Sequence, residues 1–320
     1  ADCTANDWAP AFSPDGSRIA FRSERNGGGI FVMGATGESV RRVSDFGFNP
    51  SWSPRGHEIA VDTAGPAGPV VRQGLGELWA INLDSGARRR IHSGDAVQPS
   101  WSPNGRRIAF WGSRAGSGHR DLWTVPADGS TALATQVTED GAIDWRPLWA
   151  PDGRSLYFLS DRGGTMNLWQ VAIDQDSGRV LGSPSPVTVP AAALTGLAIS
   201  ADGRRLAYAT AEVQTHILVA GLDQSRGVLL KAPHAVVEYS RPLRTLDISP
   251  DGQWLAYTTA DATEDLFLVR TDGSGLRQLT DDEWRDRAPE FSPDGNRIAF
   301  HSNRSGQYQI WTLHPDGSGL

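Results

Sequence analysis

Nine side chains of types that concentrate binding energy fall at related places in this sequence: Trp8, Phe48, Trp145, Arg146, Arg241, Arg244, Trp284, Arg285 and Arg287. Trp8, Phe48, Trp145, Arg244 and Arg287 each stand five residues before the serine or alanine of a recurring turn motif, and the other four adjoin them. Aromatic and arginine side chains are the usual anchors of an interface, and a guanidinium grips a carboxylate through two parallel hydrogen bonds. The same residues carry a second reading, in which the aromatics cap a core and the arginines pair with Asp144 and Asp286. Asp247 and Glu290 occupy the place of Ala11, Ser51, Ser100 or Ala198 in other copies of the repeat. Two carboxylates near one another can bind a cation or work as an acid–base pair; the neighbouring arginines favour a structural ion pair.

The chemistry of the known catalytic motifs is missing. There is no Gly-x-Ser-x-Gly elbow to present a nucleophilic serine. His57-Glu58 lacks the second histidine of a metalloprotease helix. Gly27-Gly28-Gly29 reads as a hairpin loop and not as a phosphate cradle. One cysteine, Cys3, can form neither an internal disulfide nor a cysteine-based zinc site. The seven histidines fall at differing places in the repeats. No catalytic residue, metal ligand or cofactor is assigned.

The elements that position these residues are set by one motif that occurs seven times. An apolar residue is followed by a small residue, usually Pro, any residue, and Gly. The copies begin at Phe12, Trp52, Trp101, Trp149, Ile199, Ile248 and Phe291. Pro fixes φ for a turn, and Asp-Gly or Asn-Gly supplies the positive φ of a tight hairpin. A short alternating strand follows each turn, such as Ile19-Ala20-Phe21 or Ile298-Ala299-Phe300. A third strand comes next, such as Leu122-Trp123, then a second turn and a fourth strand such as Arg277-Gln278-Leu279-Thr280. Four short strands per unit is the pattern of a propeller blade. The copies are 40 to 50 residues apart, and the path from Ser292 through the two chain ends to Ser13 is 41 residues, one more repeat. The expected fold is all-β: a seven-bladed β-propeller of four-stranded antiparallel blades. Residues 1–4 then supply the outer strand of the last blade and close the ring.

Composition agrees with a single domain over residues 1–320. The chain is 39% hydrophobic, with 36 glycines and 20 prolines spread along it. Its net charge of −7 is a poor footing for nucleic-acid binding, which needs a basic face to displace counterions. No apolar run is long enough to span a membrane. The first residues already belong to a repeat, so the sequence reads as a domain cut from a longer chain. A monomer is expected for the isolated domain.

The motif resembles the PD40 family of WD40-like repeats, the TolB-like propellers. The family pattern appears as Phe291 to Gly295, Ile298 to Phe300, Ser302-Asn303-Arg304-Ser305-Gly306, Ile310-Trp311 and Asp316-Gly317. The first copy repeats it with Ser23-Glu24-Arg25-Asn26-Gly27. Copies five and six lose the Ser-x-Arg-x-Gly element, and copy two replaces it with a long loop, residues 63–76. Ring closure and the missing catalytic motifs point to a non-enzymatic binding or sensory module that takes a protein, peptide or small ligand at its channel mouth, and the resemblance favours an extracytoplasmic or periplasmic place for it. It also leaves two other roles: a structural or gating accessory to a kinase, regulator or peptidase domain, and a metal-dependent lyase or hydrolase.

Overall fold

The computed structural model describes all residues except 1–4, 66–74, 114–118, 131–133, 164–165, 189–192, 212–213, 224, 240–242, 260–263 and 283. The expected closing strand, residues 1–4 with Cys3, therefore lies outside the described residues. The chain forms two compact units, one through Ala211 and the other from there to Leu320. Nearly all regular structure is antiparallel strand. Among the described residues, no helix is long and apolar enough to cross a membrane.

In the first unit, sheet one comprises β1 (Asp7–Phe12), β2 (Arg18–Ser23), β3 (Gly29–Gly34) and β4 (Arg41–Ser44). Sheet two comprises β5 (Phe48–Trp52), β6 (Glu58–Asp62), β7 (Leu78–Asn82) and β8 (Arg88–His92). Sheet three comprises β9 (Val97–Trp101), β10 (Arg107–Ser113), β11 (Arg120–Pro126) and β12 (Thr135–Gln136). Sheet four comprises β13 (Asp144–Trp149), β14 (Ser155–Ser160), β15 (Asn167–Ala172) and β16 (Ser185–Pro186). A two-stranded pair follows, β17 (Ala193–Ile199) with β18 (Leu206–Ala211).

The second unit opens with β19 (Thr215–Val219) and a small hairpin, β20 (Leu222–Asp223) and β21 (Val228–Leu229); β22 (His234–Tyr239) then returns to pair with β19. Next is a four-stranded sheet of β23 (Leu243–Ile248), β24 (Trp254–Thr259), β25 (Leu266–Arg270) and β26 (Arg277–Gln278). The last sheet has three strands, β27 (Asp286–Phe291), β28 (Ile298–Ser302) and β29 (Gln309–Leu313). Five sheets thus have the four strands expected. The fifth copy departs from that pattern, with β17–β18 in one unit and β19–β22 in the other.

The recurring turn is held by its serine. Ser13 Oγ donates to Asp15 Oδ1 at 2.6 Å and accepts from the Arg18 amide at 2.9 Å, while Gly16 takes φ 71°. The same pair of bonds recurs at Ser102, Ser200, Ser249 and Ser292. A hydroxyl does both jobs, which is why the motif carries serine ahead of the proline.

Cores form between successive sheets. Ala20, Ile30 and Val32 pack with Trp52, Ile59 and Val61; Ala60, Leu78 and Ala80 pack with Trp101, Ile108 and Phe110. In the second unit, Ala256, Leu266 and Leu268 pack with Phe291, Ile298 and Phe300. The motif aromatic lies across the sheet before it: Trp52 Nε1 donates to Ala11 O at 2.9 Å, and Trp101 Nε1 to Ser51 O at 3.1 Å. Phe12 departs from this pattern at 63% exposure.

Candidate functional site

Every first strand is broken at one place. Trp8 faces Arg22 and Ala11 faces Ala20, so Ala9 and Pro10 together oppose Phe21 alone. The same two-against-one bulge occurs at Asn49-Pro50, Gln98-Pro99, Arg146-Pro147 and Ala288-Pro289. Proline has no N–H to give to a ladder and is confined to edges and bulges. The residue ahead of each proline takes a left-handed φ: 52° at Ala9, 48° at Asn49, 52° at Gln98, 53° at Arg146 and 52° at Ala288. Five non-glycine residues in this region at one repeat position is a built feature, since each costs backbone energy.

The bulge adds one residue and so reverses the alternation of the strand. At this place five residues before the motif serine or alanine, Val97 and Trp145 pack against the cores, whereas Thr195 is exposed. Val97 is fully buried. Trp145 packs on the cores on both sides of sheet four and donates from Nε1 to Met166 Sδ at 3.2 Å. Phe48 lies beneath the Arg22 guanidinium at 4.5 Å, and Trp8 is half-buried. In the second unit, Arg287 is held by the buried Glu264 carboxylate, with Nη2 2.9 Å from Oε1, and stacks over Tyr308 at 4.9 Å. Arg285 is buried, its amide bonded to Asn303 Oδ1 at 2.8 Å, and Trp284 is half-buried. Arg241 and the Arg244 side chain lie outside the described residues. Asp247 Oδ2 accepts the Phe291 amide at 2.7 Å and so ties two sheets together; Glu290 is exposed.

The bulges of the first unit share an open cleft of about 490 Å³. Its walls are residues 9–12, 49–52, 98–100 and 146–148, with Pro14 and Leu197 at the ends. Of the nine side chains singled out in the sequence, Arg146 lines it. Asn49 and Gln98 also line it and were not among those nine. Their signal was the residue–proline step, fixed at one place in five of the seven copies. Asp62, fully buried, accepts from Asn49 Nδ2 at 2.8 Å and from the Gln98 amide at 2.9 Å. Gln98 Oε1 accepts from Trp111 Nε1 at 2.9 Å. Arg146 Nη1 donates to Thr195 O at 2.8 Å, and its guanidinium stacks over Trp145 at 5.5 Å. Among the described residues, no carboxylate pairs with Arg146, and burial pushes its pKa down. The cleft can therefore offer one positive charge, side-chain amides and a row of proline rings.

Other arginines are committed to the scaffold. Arg162 donates from Nε to Ser160 Oγ at 2.9 Å and from Nη2 to the buried Asp144 at 2.7 Å, and lies 5.2 Å over both Phe158 and Trp169. Arg304 repeats this with Ser302, Asp286, Phe300 and Trp311, and Arg25 with Ser23, Asp7, Phe21 and Phe31. Among the described residues, no group of three or more His, Cys, Asp and Glu is placed to hold a metal ion.

Residues 70–235 and 187–320 match the family model of the TolB beta propeller domain. A 49-residue stretch is 51% identical to dipeptidyl-peptidase 5 of Porphyromonas gingivalis, covering 15% of this chain and 7% of that protein. A 100-residue stretch is 38% identical to the Tol-Pal system protein TolB of Anaeromyxobacter dehalogenans, covering 31% of this chain and 20% of that protein. The matched segments are thus a small part of each relative. Among solved structures, TolB from Acinetobacter baumannii is similar at 21% identity and a TM-score of 0.48, over 86% of this chain and 63% of that one.

Proposed function

The chain belongs to the TolB β-propeller domain family, and from that premise we propose that it is a non-catalytic binding propeller. It recognises a protein, peptide or small ligand at a channel mouth formed by the first strands. On this reading seven blades make one domain. The observation that supports the reading is the bulge cleft of the first unit, where Asn49, Gln98 and Arg146 are presented from equivalent positions of three sheets. Among the described residues, Arg146 is the one ionisable side chain in its lining. Acid–base chemistry near neutral pH needs a group that gives and takes a proton, which a guanidinium does not; binding does not need one.

The test is selection of a random peptide display library on the immobilised chain. Enriched peptides are expected to lose about tenfold in affinity with Arg146→Gln and to be blocked by Leu148→Trp, which fills the cleft. A library without binders, or binders indifferent to both substitutions, overturns the reading.

A further inference from the structure

The seams between sheets one and two and between sheets two and three are built from equivalent positions but carry opposite charge. At the second of these seams the last residue of β6, Asp62, accepts the Gln98 amide of the following sheet. The equivalent residue of β2 is Arg22, facing Trp8 across the ladder. Its guanidinium lies over the Phe48 ring of sheet two at 4.5 Å. Its far side abuts Gly28, where an added Cβ would come 2.7 Å from Nη2.

This seam is rich in donors and poor in acceptors. Arg22 Nε and Trp8 Nε1 are both buried, and neither has a hydrogen-bond partner among the described residues. No described carboxylate is ion-paired with Arg22. Glu24 attracts it from a distance while accepting a bond from Asn6, and Arg42 repels it. Burial lowers the pKa of Arg22 for want of a counter-charge. Buried donors in folded proteins are nearly always satisfied by protein, water or an ion. These two atoms are closed to solvent, while the Arg22 side chain as a whole is half-buried.

We propose that the seam between sheets one and two is a binding site for a small anion, held by Arg22 and Trp8. The anion is either a free halide or the carboxylate of a bound ligand. It does at this seam what the Asp62 carboxylate does at the next. This site is independent of the cleft and of its reading as a ligand mouth.

The test uses the full chain in sodium bromide and, separately, in sodium acetate, with Arg22→Met and Trp8→Phe as variants. Bromide is expected to raise the Tm of the wild type over that of Arg22→Met by about 2 °C per tenfold concentration near saturation. Trp8→Phe, which keeps the packing, should need a several-fold higher concentration for the same shift. An anomalous bromide peak beside Arg22 locates the ion. A shift with acetate and none with bromide supports the site and assigns it to a ligand carboxylate. Equal responses of wild type and both variants overturn the proposal; a peak beside Arg22 without a difference in Tm marks an adventitious ion only and overturns it too.

Discussion

Arg162 places its Nη2 2.7 Å from Asp144 Oδ2, across the hairpin that joins β13 to β14, and the carboxylate it meets is wholly shut off from solvent. Burial pushes the Asp144 carboxyl up, and the Arg162 charge is the strongest force pulling it back down. Removing one member of such a pair strands the other. Arg162→Met is expected to cost about 3 kcal/mol in urea unfolding. Arg25→Met should cost about 1 kcal/mol or less, because its partner Asp7 keeps 37% of its side chain in water.

Asp62 accepts from the Asn49 side chain and the Ala64 amide on its own sheet's side and from the Gln98 amide of the next sheet. Asp62→Ala leaves the Asn49 amide and the Gln98 N–H without that acceptor, and is expected to cost about 2–3 kcal/mol. The measurement is denaturant unfolding followed by tryptophan fluorescence.

Two kinds of group make stability fall with acidification. The turn aspartates Asp15 and Asp294 are held down to about 2 from 3.8, chiefly by the Ser13 and Ser292 hydroxyls. Their folded pKa lies below the unfolded value, so their contribution is complete above about pH 4 and vanishes as pH falls to about 2. Burial against Phe110 holds His92 below its ordinary 6.5. The unfolded chain takes up that proton first, so stability also drops as pH falls below 6.5. Unfolding curves at pH 7, 5.5, 3.5 and 2.5 should show both losses. Asp294→Asn should reduce the lower one and leave the upper one unchanged.

Ala288 sits at φ 52° in a bulge where a side chain brings strain. A left-handed alanine costs about 1–2 kcal/mol, and glycine returns about 0.4–1 kcal/mol of that as unfolded-state entropy. Ala288→Gly is therefore expected to stabilise by about 0.5 kcal/mol. A Tm below that of the parent would contradict the strain.

Gly112 shows the reverse. A methyl group there would overlap the Asp95 carbonyl oxygen, which is fixed in the backbone. Gly112→Ala is expected to destabilise by more than about 2 kcal/mol. Serine at the same position should be no better.

The blade pattern was legible because turn chemistry is local. Serine, proline and glycine at fixed offsets carry their geometry in their own backbones and side chains. The site was legible only in part. Trp145 was singled out by its place five residues before the motif alanine, and the structure packs it on the cores. The missing fact was the extra residue at Arg146-Pro147 and its equivalents, which reverses the phase. Proline at that place was visible in the sequence, whereas the left-handed residue before it is a product of pairing with β14 and its counterparts. Glu264 illustrates a different limit: it lies 23 residues from Arg287, and nothing local marks the two as partners.

The prolines of the bulges have a consequence for solubility. Each first strand is one of the edge strands of its sheet, and an unpaired row of N–H and C=O groups is a template for a foreign strand. Pro10, Pro50, Pro99, Pro147 and Pro289 interrupt that row in five sheets. β17 and β23 carry Leu197 and Leu246 instead. Those two edges are where self-association through strand addition will begin, and Leu246→Pro or Leu197→Lys is the substitution that should suppress aggregation on heating.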